Sequence, residues 1–312
     1  MAVALLGLTF CACSDDDDEA GGGSSASISI PASVVDGVRV SEMTGSCALN
    51  VTYNDDGTIA KAKTDGCEYV FEYEPATRGA VATGKAIKQI VASYTDKDNG
   101  TKYSYVASGF SFNTDGFLTK FHEESVEESS YGSDHFKETV KYDATMSYNA
   151  KGRLQSITVN GSWNSVETVD GETEKESGSG KGSLKFSYKG DVLEKTSITS
   201  DGETSEFVFG YNSTSPSNYY NIVTPQMAEA MSFDSPVLFI LAMTGYLGNA
   251  SATLPSTYQY IYTNEGESEN EMDTYNIVYN MWDNTQRVKD IKMYEAESGY
   301  QVYYASFNYS IR

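Results

Sequence analysis

The chain is poor in the residues that carry most nucleic-acid binding and much of catalysis. Its 312 residues include 22 lysines and arginines against 44 aspartates and glutamates, which gives a formal net charge of −22 at pH 7, and only two histidines. A chain this acidic lacks the clustered cations that bind nucleic-acid phosphates, so we expect no nucleic-acid partner. With two histidines, imidazole-based catalysis or metal binding has little to work with.

The motifs of the common enzyme classes are also missing. The sequence contains no G-x-S-x-G nucleophile elbow and no H-E-x-x-H zinc motif. Gly178–Ser183 superficially resembles a phosphate-binding loop, but Gly182 stands where such a loop needs serine or threonine. Residues 122–124 (His-Glu-Glu) and His135 lack metal-ligand spacing. We therefore expect a protein that is not an enzyme and holds neither a cofactor nor a metal.

The N-terminus has the layout of a bacterial lipoprotein signal. An apolar run over residues 1–10 is too short to span a bilayer, and a small residue, a cysteine and an abrupt polar stretch follow it. This order resembles a lipobox, whose cysteine becomes the acylated first residue of the mature protein. Cys13 follows the small Ala12, whereas Cys11 follows the bulky Phe10. We predict a signal peptide over residues 1–12 and lipid attachment at Cys13.

Five acids follow the predicted lipidated cysteine almost at once. They are Asp15, Asp16, Asp17, Asp18 and Glu19. This stretch resembles the acidic export signal of surface lipoproteins in the Bacteroidota. Residues 13–27 end in a run rich in glycine and serine, which predicts a flexible tether. We expect the protein to be held in the outer membrane by its N-terminal lipid and to face the cell exterior.

Short alternating runs of apolar and polar residues, separated by Gly, Asn and Asp, predict β-strands and tight turns from residue 28 onward. One unit recurs: a strand ending on an aromatic, an Asn/Asp turn with glycine at a positive φ, and an aliphatic that restarts the next strand. Copies begin at Val51, Phe110, Met146, Phe186 and, most loosely, Ile277. Their irregular spacing argues against a solenoid or propeller.

Two acidic stretches, Glu167–Lys181 and Glu265–Asp273, are predicted to be mobile hairpin tips. The first is also rich in glycine and serine, which suits a solvent-exposed turn region.

One segment breaks the strand pattern. Ser235 is a good N-cap, Pro236 a good first helical residue and Gly248 a good helix stop. The helix predicted over residues 236–247 is apolar on nearly every side, so it must be buried, and it is too short to span a membrane. A shorter helical turn is predicted over Pro225–Met231.

Together these patterns predict one mainly all-β domain over residues 28–312. We expect an antiparallel meander curled into an open or closed barrel, with the apolar helix inside it or against one mouth. We also expect a monomer.

A family resemblance rests on three features taken together. The lipoprotein-like start, the hairpin units, and the apolar helix that closes with Gly245–Gly248 before Leu254-Pro255 resemble Bacteroidota lipoproteins that share a β-rich domain of unknown function. The resemblance extends from about Ala48 to the C-terminus. It implies a β-rich fold and a place in the cell envelope, and it implies no activity or ligand.

Cys47 and Cys67 are a candidate disulfide pair. An oxidising envelope compartment favours a bridge between them. A simple meander instead separates them by two strand spacings, about 9.5 Å, which exceeds disulfide reach. The sequence leaves both outcomes open.

For function, we predict a non-catalytic envelope protein with a ligand-binding or structural role. The tyrosine-rich strands over residues 258–262 and Tyr300–Tyr309 either form a core face with a wet edge or line a groove for a surface ligand such as a glycan or a peptide. One alternative is a carrier of lipid or another hydrophobic ligand in a half-barrel cavity. Another is a glycan hydrolase with an unrecognised carboxylate pair. The interior of the sheet distinguishes a binding protein from a carrier, which needs an empty apolar cavity.

Overall fold

The computed structural model describes residues 38–64, 67–75, 85–97, 99–200, 203–213, 215–218, 222–232, 235–263, 271–282 and 287–311. The predicted signal peptide, Cys13, the acidic run over residues 15–19 and the tether lie outside the described residues.

Sixteen strands follow one another through the described part of the chain. They are β1 (Val38–Gly45), β2 (Leu49–Tyr53), β3 (Ile59–Thr64), β4 (Cys67–Pro75), β5 (Lys85–Thr95), β6 (Lys102–Phe112), β7 (Leu118–Tyr131), β8 (Asp134–Tyr148), β9 (Leu154–Val169), β10 (Glu172–Lys189), β11 (Val192–Ser200), β12 (Glu203–Gly210), β13 (Thr257–Thr263), β14 (Glu271–Met281), β15 (Val288–Glu295) and β16 (Gln301–Ile311). Each strand pairs antiparallel with the next, and β1 pairs with β16 to close the barrel. The predicted all-β meander is confirmed in its closed form.

The recurring hairpin unit forms the turns at one end of the barrel, which we call the lower end. In the copy at Asn149, the backbone N–H of Asn149 donates to the carbonyl of Arg153, and the N–H of Gly152 donates back to the carbonyl of Asn149. Gly152 has a φ of 68°, and a Cβ there would lie 2.7 Å from the Phe117 ring. Glycine is therefore required both for the turn and for the close approach.

The aromatic residue of the unit has a separate role, because its hydroxyl ties neighbouring turns together. Tyr53 Oη donates to the carbonyl of Val40 at 2.8 Å, and Tyr148 Oη donates to the carbonyl of Leu118 at 2.6 Å. Each bond lets a tyrosine keep its ring in the core while its hydroxyl satisfies a carbonyl at the start or end of another strand. The repeated tyrosine is therefore part of the architecture of the lower end.

Two short helices, α1 (Pro225–Ser232) and α2 (Pro236–Met243), interrupt the strands. Ser235 caps α2 as predicted, because its Oγ accepts from the N–H of Leu238 at 3.1 Å. The helix ends at Met243, four residues earlier than predicted, and turns follow it. Apart from Pro236 and Phe239, which are half-buried, its residues are buried. Within the described residues, no helix combines the length and apolarity needed to cross a membrane.

The helical segment closes the lower end of the barrel. The N–H of Leu118 donates to Tyr246 at 2.9 Å, and the N–H of Asn249 donates to Gly152 at 2.8 Å. These bonds join the segment directly to the hairpin turns. A barrel of about eight strands is just wide enough for its side chains to fill. A barrel of sixteen needs additional filling, and here the two helices and their flanking loops supply it.

One question left open by the sequence is answered, and one local expectation needs correction. The thiols of Cys47 and Cys67 are not bridged to each other. Cys47 lies in the bend before β2 and Cys67 begins β4, so β2 and β3 separate them, as the distance argument anticipated. The stretch Glu167–Lys181 is regular β-structure, with only Asp170 and Gly171 between β9 and β10. Within Glu265–Asp273, residues 265–270 lie outside the described part of the chain.

Candidate functional site

The upper half of the barrel interior, above the helices, is open to solvent. Directly paired residues on neighbouring strands point to the same side of a sheet. By this register Tyr94, Tyr103, Glu127 and Glu138 all face inward, in line with the buried Ala92 and Glu123 of the same strands. Yet Tyr94 keeps 37% of its surface exposed, and the other three are half-buried. We call this open space the upper lumen.

We call helix α1 the floor of the upper lumen, because its one exposed charged side chain acts on tyrosines of the lumen wall. Residues 225–228 and Ala230 are buried, whereas Glu229 is exposed. Its carboxylate adds to the effect of burial in raising the pKa values of Tyr258, Tyr275 and Tyr303, so it lies close to these tyrosines on β13, β14 and β16. Glu229 is thus an exposed carboxylate within electrostatic reach of three inward-facing tyrosines.

Gln226 lies one helical turn before Glu229 and therefore on the same face of α1. Only 2% of its surface is exposed, and its Oε1 has no hydrogen-bond partner in the described part of the protein. The hydroxyl of Tyr303 is also buried and has no hydrogen-bond partner in the described part of the protein. Unpaired buried polar atoms are uncommon and costly, and they occur here beside the lumen floor.

One wall of the upper lumen is a cluster of aromatic rings on β12, β13 and β14. The Phe207 ring centroid lies 5.7 Å from that of Tyr258 and 5.2 Å from that of Tyr260, and Tyr258 lies 5.9 Å from Tyr275. Asp273 pairs directly with Tyr260 and so faces the same side. This wall presents flat rings and one carboxylate to the lumen.

The opposite wall has the same composition. In a ring of sixteen strands, β5 and β13 are eight strands apart and lie across the barrel from each other. On β5 and β6 the rings of Tyr94 and Tyr103 stack at 4.6 Å with a 12° interplanar angle. Glu127 and Glu138 pair directly beside them, and burial together with the Glu127 charge raises the pKa of Glu138. Two tyrosine-and-carboxylate walls therefore enclose the lumen.

A third carboxylate is buried where the wall meets the helices. Glu123 Oε2 accepts hydrogen bonds from Tyr142 Oη at 2.6 Å and from Ser235 Oγ at 2.9 Å. Burial raises the pKa of Glu123, and the two donors partly offset that effect. Because Ser235 also caps α2, this group joins the barrel wall to the start of the core helix.

Cations are absent from the upper lumen within the part of the chain that the structure describes. Strand register turns the lysine and arginine side chains outward, or sets them at the lower end. The lower end holds Arg39 over the Tyr53 ring and Arg153 over the Tyr188 ring. The lumen therefore carries negative charge with no compensating side-chain cation among the described strand residues.

The outer wall is polar in its middle. Outward-facing Lys137 pairs with Glu128 at 2.6 Å, and Lys141 pairs with Glu124 at 3.0 Å. A wall that faces lipid needs an apolar band about 25 Å tall. On β7 and β8 the outer wall thus carries charged pairs where a lipid-facing wall would be apolar.

The structure separates several residues that the sequence set side by side. His122 and Glu124 point outward from β7, whereas Glu123 points inward, so the three do not form one site. His135 contacts Ser130 at 2.9 Å on the outer face. In the described residues, no three His, Cys, Asp or Glu side chains are grouped so as to hold a metal ion. The stretch Gly178–Ser183 is part of β10 and not a loop.

The tyrosine-rich strands are only partly lumen-facing. Tyr258, Tyr260 and Tyr303 face inward, whereas Tyr300 is 72% exposed at the upper end and Tyr304 faces outward. The opposite wall and the floor were not predicted. The signal for the wall was present as the alternating tyrosines of β6, and the signal for the floor was Glu229, the one charged residue of α1.

The fold and site define a closed antiparallel β-barrel with a helical floor and an open, acidic, tyrosine-lined upper lumen. No protein-family model matches this chain, and no curated protein matches it. Among solved structures, the chain is similar to the crystal structure of a porin-like protein from Bacteroides uniformis ATCC 8492. The two share 16% sequence identity and a TM-score of 0.47, over 92% of this chain and 100% of that one.

Proposed function

We propose that the protein is a non-catalytic, ligand-binding β-barrel of the cell envelope, and that its ligand enters the upper lumen. The observation that carries this proposal is the open lumen itself, with a stacked tyrosine pair on one wall, a Phe207–Tyr258–Tyr260 ring cluster on the other, and an exposed carboxylate on α1. Concave sites with aromatic walls and a few convergent polar groups are the usual form of a binding site. A surface glycan or a peptide is the class of ligand we expect.

The proposed location rests on the sequence and on the outer wall. A lipid on Cys13 would hold the barrel at the outer membrane, and the tether over residues 13–27 would let it stand clear of the bilayer. The charged pairs Lys137–Glu128 and Lys141–Glu124 on the outer wall suit a barrel surrounded by water. In this proposal the acids at residues 15–19 direct the protein to the exterior.

The two alternatives have less support. A carrier of acyl chains needs an empty apolar cavity, whereas the apolar part of this barrel is filled by α2 and the open part is lined by hydroxyls and carboxylates. A glycan hydrolase would need two carboxylates that flank the bond to be cleaved. Glu127 and Glu138 pair directly across β7 and β8, and no further feature of the lumen favours catalysis.

Thermal-shift measurements on the full-length lipoprotein in detergent test the binding proposal. Neutral oligosaccharides and short peptides of differing charge serve as probes. We expect at least one class to raise the melting temperature, and we expect the increase to be lost in Tyr260→Leu and kept in Tyr304→Leu, which changes an outward tyrosine. Binding that survives in Tyr260→Leu and Tyr94→Leu alike contradicts a site in the upper lumen.

A further inference from the structure

We infer that the upper lumen selects a cationic ligand, one that carries ammonium or guanidinium groups. The inference rests on the proposed function, since it names the chemistry of the ligand in the same lumen. Four independent features of the described residues support it: the rings, the acids, the missing cations and an unsatisfied acceptor at the floor.

The rings supply surfaces that attract cations. The face of an aromatic ring is negative, so ammonium and guanidinium groups bind over tyrosine. The barrel already uses this contact at its lower end, where Arg39 lies 5.1 Å from the Tyr53 ring centroid. Tyr94 and Tyr103 form a stacked pair on one side of the lumen, and Tyr260 faces it from the other. No side-chain cation of the described strands occupies these faces.

The carboxylates are spread over both walls and the floor. Glu127 and Glu138 lie beside Tyr103, Asp273 lies beside Tyr260, and Glu229 on α1 lies within electrostatic reach of Tyr258. A concave site lined by one sign of charge concentrates the opposite charge, and the low-dielectric wall strengthens that field. The spacing around the lumen suits a ligand with several positive groups better than a single ion.

The floor helix also holds a buried hydrogen-bond acceptor without a donor among the described residues. The Oε1 atom of Gln226 is buried without a partner in the described residues, on the same helix face as Glu229. Ammonium and guanidinium groups have only donors, with three and five N–H groups respectively. A neutral sugar would bring no positive group to the wall carboxylates Glu127, Glu138 and Asp273.

The test uses isothermal titration calorimetry on the full-length lipoprotein in detergent. Hexalysine and hexaarginine peptides are the cationic probes, and hexaserine, hexaglutamate and maltohexaose are the neutral and acidic probes. Two substitutions at adjacent positions distinguish binding in the lumen from binding to the outer surface, because Glu127 points inward and Glu128 points outward. Glu127→Gln and Glu128→Gln change the net charge equally, so a general charge effect acts on both. Circular dichroism melts confirm that each variant is folded.

We expect the two cationic peptides to bind and the other three probes to bind weakly or not at all. Glu127→Gln or Glu229→Gln should weaken hexalysine binding about tenfold, as should Tyr260→Leu, whereas Glu128→Gln and the ring-preserving Tyr260→Phe should leave it nearly unchanged. If hexaarginine binds more tightly than hexalysine, the lumen prefers guanidinium to ammonium groups.

Three results would overturn the inference, and they differ in what they say of the proposed function. If maltohexaose or hexaserine binds at least as tightly as hexalysine and Tyr260→Leu abolishes that binding, the lumen is a site but not for cations. If Glu127→Gln and Glu128→Gln weaken hexalysine binding equally, the peptide is held by overall charge. If no probe responds to Tyr94→Leu or Tyr260→Leu, the lumen site itself is wrong.

Discussion

Glu123 on the barrel wall accepts a hydrogen bond from Ser235, the residue that caps the core helix, although 112 positions separate them in the chain. The Oγ–Oε2 distance is 2.9 Å, and Tyr142 Oη donates to the same carboxylate oxygen at 2.6 Å. A carboxylate that is only 3% exposed is therefore the link between the sheet and the segment that fills it.

The first prediction concerns the pH dependence of that link. Burial raises the pKa of Glu123 above its ordinary value of 4.5, so the folded state holds the proton more tightly than the unfolded chain does. The resulting stabilisation is fully present below pH 4.5 and is lost as the pH rises through the raised value. We expect the free energy of unfolding of the parent, relative to Glu123→Gln, to fall over this range. Urea denaturation from pH 4 to pH 8 measures it. If the difference in unfolding free energy between the parent and Glu123→Gln does not vary with pH, the pKa of Glu123 is not raised.

The second prediction concerns α2 as a core element. Leu238 and Leu241 are fully buried, and truncation of such residues costs about 2–5 kcal/mol. We expect Leu238→Ala and Leu241→Ala to lower the melting temperature markedly, and Ile240→Asp to prevent folding because its carboxylate would be buried without a partner.

Val106→Ala is the matched control for these variants, because it removes apolar surface from a residue that is 40% exposed. Thermal melts of all four proteins in detergent-free buffer, with the lipid removed by Cys13→Ala, compare them. If α2 were a detachable lid, Ile240→Asp would melt close to the parent.

The third prediction concerns the packing of Trp163 on Gly178. A Cβ at Gly178 would lie 2.5 Å from the indole Nε1 of Trp163, closer than real contacts allow. We expect Gly178→Ala to cost about 1–3 kcal/mol, and to change the tryptophan emission as the indole moves. Ser179→Ala, which alters the opposite face of β10, should do neither. Equal melting temperatures and emission spectra for the two variants would contradict this packing.

The fourth prediction concerns lipid attachment. Cys13→Ala should abolish incorporation of labelled palmitate and release the protein from the outer membrane, whereas Cys11→Ala should leave both unchanged. Cys11 is the matched control because it follows bulky Phe10, while Cys13 follows small Ala12. Palmitate labelling and membrane fractionation of the two variants measure this. Continued labelling of Cys13→Ala would show that another residue is acylated.

The fifth prediction concerns surface display. Replacing residues 15–19 with neutral residues should keep palmitate labelling but leave the protein facing the periplasm. Protease treatment of intact cells should then degrade the parent and spare the variant. Equal degradation of the two proteins would remove the acidic run as an export signal.

Local chemistry accounts for what the sequence predicted correctly. The Asn149–Gly152 turn could be recognised because asparagine bonds its own backbone and glycine accepts a positive φ, both within four residues. The start of α2 could be recognised because Ser235 and Pro236 act on the first helical turn, and its burial followed from apolar residues on every side. These features depend on neighbours in the chain, so no knowledge of the whole fold was needed.

The tertiary structure decided the features that depend on distant residues. Closure requires Val38 on β1 to pair with Ile311 on β16, and such a contact leaves no local pattern. The faces of the strands also depend on bulges, such as the one on β5, where Lys88 is the extra residue opposite Glu72 and Tyr73 and the two-residue alternation shifts from one face to the other. Alternation alone therefore predicted tyrosine-rich strands but not which rings meet across the lumen. The floor at Glu229 was equally hidden, because only the closed barrel brings α1 close to those rings.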